Sequence, residues 1–144
     1  MFIILPQLCL FGMLLSDINR YSPHEPLGMY HNQWNELYKS LQYKLTKIDW
    51  YKEMFDPYYL KDKEPVNATI SDDLASIYLD IKSGLKVWEN SNSNQRIGII
   101  WEWKWGFENH WGDHATSAFR ALYALLYSHV EDKDGDYIGI REQQ

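Results

Sequence analysis

The sequence IIWEWKWGFENHWGDHATSAFRALYALLYSHV extends from Ile99 to Val130, and apolar side chains recur through it at helical spacing. At about 100° per residue, two broad apolar sides flank one narrow polar stripe, which consists of Glu102, Asn109, Asp113, Thr116 and Arg120. A helix that is apolar over most of its circumference is normally enclosed by other elements. The pattern therefore predicts one continuous, largely buried helix over 99–130, roughly 45 Å long at a rise of about 1.5 Å per residue.

Two glycines and three tryptophans stand out within this predicted helix. Gly106 and Gly112 each weaken a helix by up to about 1 kcal/mol relative to alanine, so we expect them to let a neighbouring backbone come close. Trp101 and Trp105 share one side while Trp103 faces another. This arrangement favours core packing over a stacking platform for a ligand.

Composition limits the class of protein. With 45% apolar and 16% aromatic residues, a chain of 144 residues can form one domain with a substantial core. Fourteen basic and twenty acidic side chains give a net charge of −6. This charge argues against a nucleic-acid partner, because a phosphate backbone requires a positive patch. The single cysteine, Cys9, permits no internal disulfide, so we expect a reducing compartment, the cytoplasm.

The first fifteen residues, Met1–Leu15, are apolar enough to suggest an export signal. They lack a basic start, and no small-residue cleavage site follows them. They are also too short to span a bilayer as a helix. We therefore predict a core helix here, with neither an export signal nor a membrane contact.

Apolar periodicity predicts three helices before the long one: Ile3–Ile18, Tyr30–Lys47, and one that starts at Ser71 as its N-cap and runs to about Glu89. The first has almost no polar face, so we expect it to dock in the core. The segments 19–28 and 61–70 read as loops, and 49–60 is less regular and could add a small non-helical piece.

These elements predict an all-α fold, a helical bundle of about four helices with a long, largely buried C-terminal helix. The polar connector 90–95 is short enough to make the third and fourth helices neighbours. We assign residues 1–130 to a single helical domain and 131–144 to an acidic C-terminal tail without a core signal. Within that tail, Asp132–Asp136 resembles the start of a calcium-binding loop. Tyr137 and Gln143 occupy the two key positions, which favours a solvated turn.

Two histidines are the residues of this sequence best suited to metal binding or proton transfer. His110 and His114 are four residues apart on one side of the predicted helix, a spacing that suits two metal ligands. Asp80 and Asp73, on the third helix, are the candidate further ligands for a divalent metal. Glu108 ranks lowest, because it lies on a different side from both histidines.

The same residues also have a structural interpretation. Two partly buried histidines would bond through their ring N–H groups to Asp80, Tyr78 or backbone carbonyls, as buried polar groups generally do. This interpretation is favoured, because two ligands without the rest of a motif are weak evidence for a metal. Proton chemistry by either histidine, oriented by an aspartate, is a further alternative. No nucleophile motif, phosphate loop or CxxC accompanies it, so no catalytic residue is assigned.

Two blocks resemble an uncharacterised bacterial domain-of-unknown-function family: DDLASIYLDIKSGL at 72–85 and WEWKWGFENHWGDHATSAFRALYALL at 101–126. The apolar LPQLCLFGMLL near the start looks like that family's early helix, and the similarity covers roughly residues 3–128. The resemblance implies a helical fold and no activity. It also implies more chain ahead of the first helix in family members, so that an apolar groove here would be filled by another chain or would mean a truncated sequence.

The leading functional hypothesis is a non-enzymatic helical domain that acts through contacts with another protein or with copies of itself, in the bacterial cytoplasm. It follows from the negative charge, the surplus of aromatic residues, the apolar first helix and the lack of a catalytic signature. The alternative is a metal-binding or metal-dependent helical protein that uses His110 and His114.

Overall fold

The computed structural model describes residues 3–18, 31–54, 58, 61, 64–132 and 134–139. These residues form five α-helices, a two-stranded sheet and a 3₁₀ turn at Thr46–Asp49. In chain order the main elements are α1 Ile4–Leu14, α2 His31–Leu45, β1 Trp50–Glu53, β2 Val66–Thr69, α3 Ile70–Trp88, α4 Ser93–Asn109 and α5 Trp111–Tyr127. The chain is therefore mostly helical, as predicted, but not strictly all-α. The predicted loop at 19–28 lies outside the described residues.

The core lies where α3 packs against α5. Helix α2 lies against α3, α1 lies against α5 and α4, and α4 contacts both α3 and α5. The buried apolar side chains of this core are Leu5, Ile70, Ile77, Trp111, Ala115, Ala118, Ala121, Leu122 and Leu125. Most of them belong to α5, so the C-terminal part of the 99–130 stretch is the enclosed element that its periodicity predicts. No helix in the described part of the chain is long and apolar enough to cross a membrane.

The prediction of one continuous helix over 99–130 is wrong. The stretch forms two helices that meet at His110, whose backbone angles of φ −151° and ψ −84° are not helical. The break lets the Trp111 side chain turn back onto α4, where its Nε1 donates to the carbonyl oxygen of Trp103 at 3.1 Å. The Trp111 ring also contacts the Phe107 ring at 4.9 Å and is only 3% exposed. Burial of this large side chain thus accompanies the loss of helical continuity.

Gly112 makes the junction of α4 and α5 possible. A β-carbon at this position would lie 2.1 Å from the carbonyl oxygen of Phe107, so the first turn of α5 backs directly onto the last turn of α4. Gly106 has a similar role, because its missing side chain leaves room for the Trp111 ring. The expected close approach of a backbone is found at Gly112, between the two halves of the stretch itself, whereas Gly106 is approached by a side chain.

A short hairpin replaces part of the predicted loops. Strands β1 and β2 pair antiparallel, with Trp50 opposite Thr69 and Glu53 opposite Val66. Because β2 runs directly into α3, its last extended residue, Thr69, is the N-cap of the helix, and its hydroxyl accepts from the backbone N–H of Asp72. The prediction of Ser71 as the N-cap is therefore wrong.

Ser71 instead binds a buried carboxylate. The Asp49 side chain is fully buried and accepts two hydrogen bonds of 2.8 Å, one from the Ser71 backbone N–H and one from the Ser71 hydroxyl. Asp49 ends the 3₁₀ turn that precedes β1. The pair therefore fixes the start of α3 to the segment that enters the hairpin.

The connection between α3 and α4 is short and ends in a capping box. Asn92 and Gln95 form a reciprocal capping box at the start of α4, which places the connector from α3 at residues 89–92. Beyond α5, Asp132 forms an ion pair of 2.7 Å with Lys47, and the Ile138 side chain packs against the core. This segment, predicted as an acidic tail without a core signal, thus has at least one apolar contact with the helices.

Replacing Gly112 with alanine tests the junction. Alanine favours a helix by up to about 1 kcal/mol, but its β-carbon would meet a backbone carbonyl that cannot swing away. We expect Gly112→Ala to lower the free energy of unfolding by about 2–3 kcal/mol, measured by urea denaturation. The exposed Thr116→Ala in the same helix is the control and should change it by less than about 0.5 kcal/mol.

The Asp49 carboxylate gives a second test of the fold. Asp49→Ala leaves two buried donors of Ser71 unpaired, and hydrogen bonds to a charged acceptor contribute about 1.5–3 kcal/mol each. We expect a loss of about 2–4 kcal/mol in the free energy of unfolding. Asp17→Ala removes a carboxylate that is 94% exposed and should leave stability nearly unchanged; equal losses in the two variants would contradict a structural role for Asp49.

Candidate functional site

The structure brings the four predicted site residues together as two pairs. Nδ1 of His110 lies 2.7 Å from Oδ2 of Asp80, and Nδ1 of His114 lies 2.8 Å from Oδ1 of Asp73. The two aspartates are two turns apart on α3, and the two histidine rings contact each other at 4.9 Å with their planes nearly perpendicular. The packing of α3 against α5 therefore creates this polar cluster.

Tyr51 of β1 extends one of these pairs into a chain of three residues. Its hydroxyl donates to Oδ2 of Asp73 at 2.7 Å, so both carboxylate oxygens of Asp73 have a hydrogen-bond partner. The Asp73 side chain is only 5% exposed, and buried carboxylates require such donors. Burial and the bond to Asp73 raise the pKa of the Tyr51 hydroxyl above its usual value, which keeps it protonated as a donor.

The pKa values of the two central groups shift upward for different reasons. Burial raises the pKa of Asp73 above 3.8, although the hydrogen bonds from His114 and Tyr51 oppose the shift. Burial alone would lower the pKa of His114. The hydrogen bond to Asp73 and the charges of Asp73, Asp72 and Asp113 outweigh it, so this pKa lies above 6.5. Folding thus favours the imidazolium form of His114 relative to the unfolded chain.

The aspartates hold the positions of orienting partners. A carboxylate on Nδ1 fixes the tautomer and orientation of a histidine ring and leaves Nε2 for another contact. Neither Nε2 atom bonds to a described residue. Within residues 3–18, 31–54 and the other described parts, no three His, Cys, Asp or Glu side chains converge as a metal site. Metal binding by His110 and His114, with Asp80 and Asp73 as candidate further ligands, therefore stays a prediction.

An open pocket lies beside the histidine pairs. Its volume is about 350 Å³, and its walls come from α2, α3 and the start of α5. The lining residues are Trp34, Asp72, Ser76, Leu79, Asp80, His110 and His114. The Trp34 side chain is held in place, because Nε1 donates to the Ser76 hydroxyl at 3.2 Å and its ring stacks on Tyr38 at 4.9 Å.

Sequence reasoning found the histidines and aspartates but missed Tyr51 and Trp34. The histidine spacing survives the helix break, because His110 begins the turn that contains His114. Tyr51 lies in the less regular segment 49–60, and Trp34 lies in the predicted helix Tyr30–Lys47. No local pattern marks either residue, since each reaches the site through the packing of a distant segment.

The fold and the site define a mostly helical domain with a pocket of paired histidines and aspartates between α2, α3 and α5. The chain belongs to the family described as Domain of unknown function (DUF5063), whose sequence profile matches residues 3–128. The resemblance inferred from the two sequence blocks is thus confirmed.

A solved structure has a similar fold. The crystal structure of protein BF1032 from Bacteroides fragilis, a Northeast Structural Genomics Consortium target, has a TM-score of 0.72 to this chain and 24% sequence identity. The alignment covers 88% of this chain and 73% of the other. At this identity the likeness shows the fold alone. No curated protein sequence matches the chain.

Asp73→Asn tests the electrostatics of the site. Without the negative charge, burial dominates, so we expect the pKa of His114 to fall, as measured by NMR titration of its ring. Asp80→Asn is the control and should move this pKa much less, because Asp80 bonds to His110.

The same pair makes stability depend on pH. Because folding raises the pKa of His114, its contribution is complete below pH 6.5 and is lost as the pH rises through the raised value. The difference in unfolding free energy between wild type and Asp73→Asn should therefore shrink as the pH rises above 6.5. A difference that stays constant across this range would mean that His114 and Asp73 are not coupled.

Proposed function

We propose that this protein is a non-enzymatic interaction domain of the bacterial cytoplasm that binds a second copy of itself through the outer side of α1. One observation carries the proposal. Helix α1 has an apolar side that the described residues leave exposed. We define the α1 face as its outward side chains: Ile3, Ile4, Leu10, Phe11, Met13 and Leu14.

The extent of the α1 face is unusual for a surface helix. Each of its six side chains is more than half exposed, and Ile3 and Leu14 reach 73% and 70%. Monomeric proteins rarely expose a contiguous apolar patch of more than a few hundred Å², and larger patches commonly mark interaction sites. The expectation that the first helix docks wholly in the core is therefore wrong for this side of α1.

The inner side of α1 is packed, which orients the outer side. Leu5 is 2% exposed, and Gly12 lies so close to the Phe107 ring that a β-carbon would overlap it. Rotation of the helix about its axis would break both contacts. The apolar side chains of the α1 face therefore cannot turn inward without loss of existing packing.

A second copy of the chain suits this surface. The segment Ile4–Leu14 contains no charged residue, so two such faces can meet around a two-fold axis without bringing like charges together. A partner that depends on charge complementarity would find nothing to recognise on it. The net charge of −6 per copy opposes association only weakly, because salt screens exposed charges beyond about 8 Å.

Metal binding by His110 and His114 has less support as the main function. Asp73 uses both carboxylate oxygens and Asp80 uses Oδ2 in hydrogen bonds, and no three metal-ligating side chains of the described residues converge. A closed structural metal site normally uses four protein ligands, and a catalytic one three. A non-enzymatic role also agrees with the absence of a nucleophile motif or phosphate loop from the sequence.

Leu14→Glu tests the proposed self-association. In a two-fold interface this change places two buried carboxylates near each other, so dimers should dissociate. Light scattering after size exclusion should give twice 17.2 kDa for the wild type and 17.2 kDa for the variant. Leu85→Glu is the matched control, since Leu85 is a 53% exposed leucine of α3, outside the α1 face; this variant should remain a dimer.

Two results would overturn the proposal. One is a wild-type protein that stays monomeric at concentrations up to roughly 100 μM, well above the dissociation constant of a stable dimer. The other is a dimer that Leu85→Glu disrupts and Leu14→Glu does not, which would place the interface on α3.

A further inference from the structure

We propose that the pocket between α2, α3 and α5 binds a small organic cation, an ammonium group carried on an aromatic or aliphatic body. This proposal is independent of self-association, because none of the pocket residues belongs to the α1 face. It uses the cavity that the histidine–aspartate pairs border, and it rests on the charge, the wall chemistry and the size of that cavity.

The charge of the pocket selects a cation. Asp72 and Asp80 line it, and no lysine or arginine is among its described lining residues. His114 is paired with Asp73 at 2.8 Å, so its protonated form adds no net positive charge to the pocket. The Asp72 carboxylate has no hydrogen bond or ion pair with the described residues, so its charge is available to a ligand. The N-terminal end of α3 offsets this charge only in part.

The walls of the pocket suit a ligand with an organic body. Trp34 and Leu79 supply apolar surface, and most of the lining is apolar. The Trp34 side chain is fixed by its hydrogen bond to Ser76 and its stacking on Tyr38, so binding does not have to order it. An indole also attracts cations through its ring electrons. In such a ligand the ammonium group would pair with the carboxylates, and the hydrophobic body would contact Trp34 and Leu79.

The size of the pocket favours an organic cation over a metal ion. Small-ligand pockets begin near 300 Å³, and this one measures about 350 Å³. The described residues also offer no three converging ligands. The two histidine pairs then act as a rigid polar border, because each ring is fixed by a carboxylate at its Nδ1.

Three probes of the same shape test the proposal: benzylamine, benzyl alcohol and benzoate, which carry positive, zero and negative charge. Each is titrated into the full chain while NMR follows the Trp34 indole N–H and the rings of His110 and His114. We expect saturable shifts of all three signals with benzylamine, and no saturable shifts with benzyl alcohol or benzoate.

Two variants with the same change in net charge locate the binding site. Asp72→Asn should weaken benzylamine binding by roughly three- to ten-fold, the range expected for one exposed charge pair. Glu108→Gln removes a carboxylate that pairs with Lys104 on α4 and does not line the pocket. It should leave the affinity unchanged. Matching circular dichroism spectra and melting temperatures would show that both variants remain folded.

Several results would overturn the proposal. Equal binding of benzyl alcohol would show that the pocket does not recognise charge, and tighter binding of benzoate would reverse the sign. Stoichiometric binding of Zn²⁺ that shifts both histidines, with no response to benzylamine, would assign the pocket to a metal. Equal affinities in Asp72→Asn and Glu108→Gln would place the amine elsewhere.

Discussion

Alanine side chains line the contact between α3 and α5, and the rest of the structure depends on that contact. Ala115 and Ala118 of α5 are completely buried and belong to the same core cluster as Ile70 and Ile77 of α3. Small side chains let two helices approach closely, and larger apolar residues such as Ile77 and Leu122 fill the space beside them. The other helices then pack around this pair: α2 against α3, and α1 against α5.

Contacts made by α3 also explain why an acidic protein can bury carboxylates. Asp49 and Asp73 are almost inaccessible, and each accepts one hydrogen bond at each of its two carboxylate oxygens. A buried charge without such donors would cost several kcal/mol, so these residues constrain which segments can lie beside α3. Asp49 needs hydrogen-bond donors from the start of α3, and Asp73 needs partners from both β1 and α5. The polar contacts thus fix the register of elements that apolar packing alone would leave free to slide.

The two proposed binding surfaces draw on opposite kinds of chemistry. The α1 face is uncharged and apolar, and the packing of the opposite side of α1 keeps this face directed outward. The pocket is acidic, and its walls combine carboxylates with a fixed indole ring. A single helical scaffold can carry both, because α1 lies against α5 and α4 whereas the pocket opens between α3 and α2.

Local patterns in the sequence determined the helical class, the extent of α3, the glycines that permit close approach and the four residues of the histidine–aspartate cluster. These features depend on neighbours within a few residues, which periodicity and spacing describe. Only tertiary structure decided the break at His110, because it accompanies the burial of Trp111 against α4. It also decided that Thr69 caps α3, that the aspartates bond to Nδ1 atoms, and that Tyr51 and Trp34 reach the site. Each of these outcomes joins residues that are distant in sequence, and pairings of that kind are selected by packing and by the need of buried polar groups for partners.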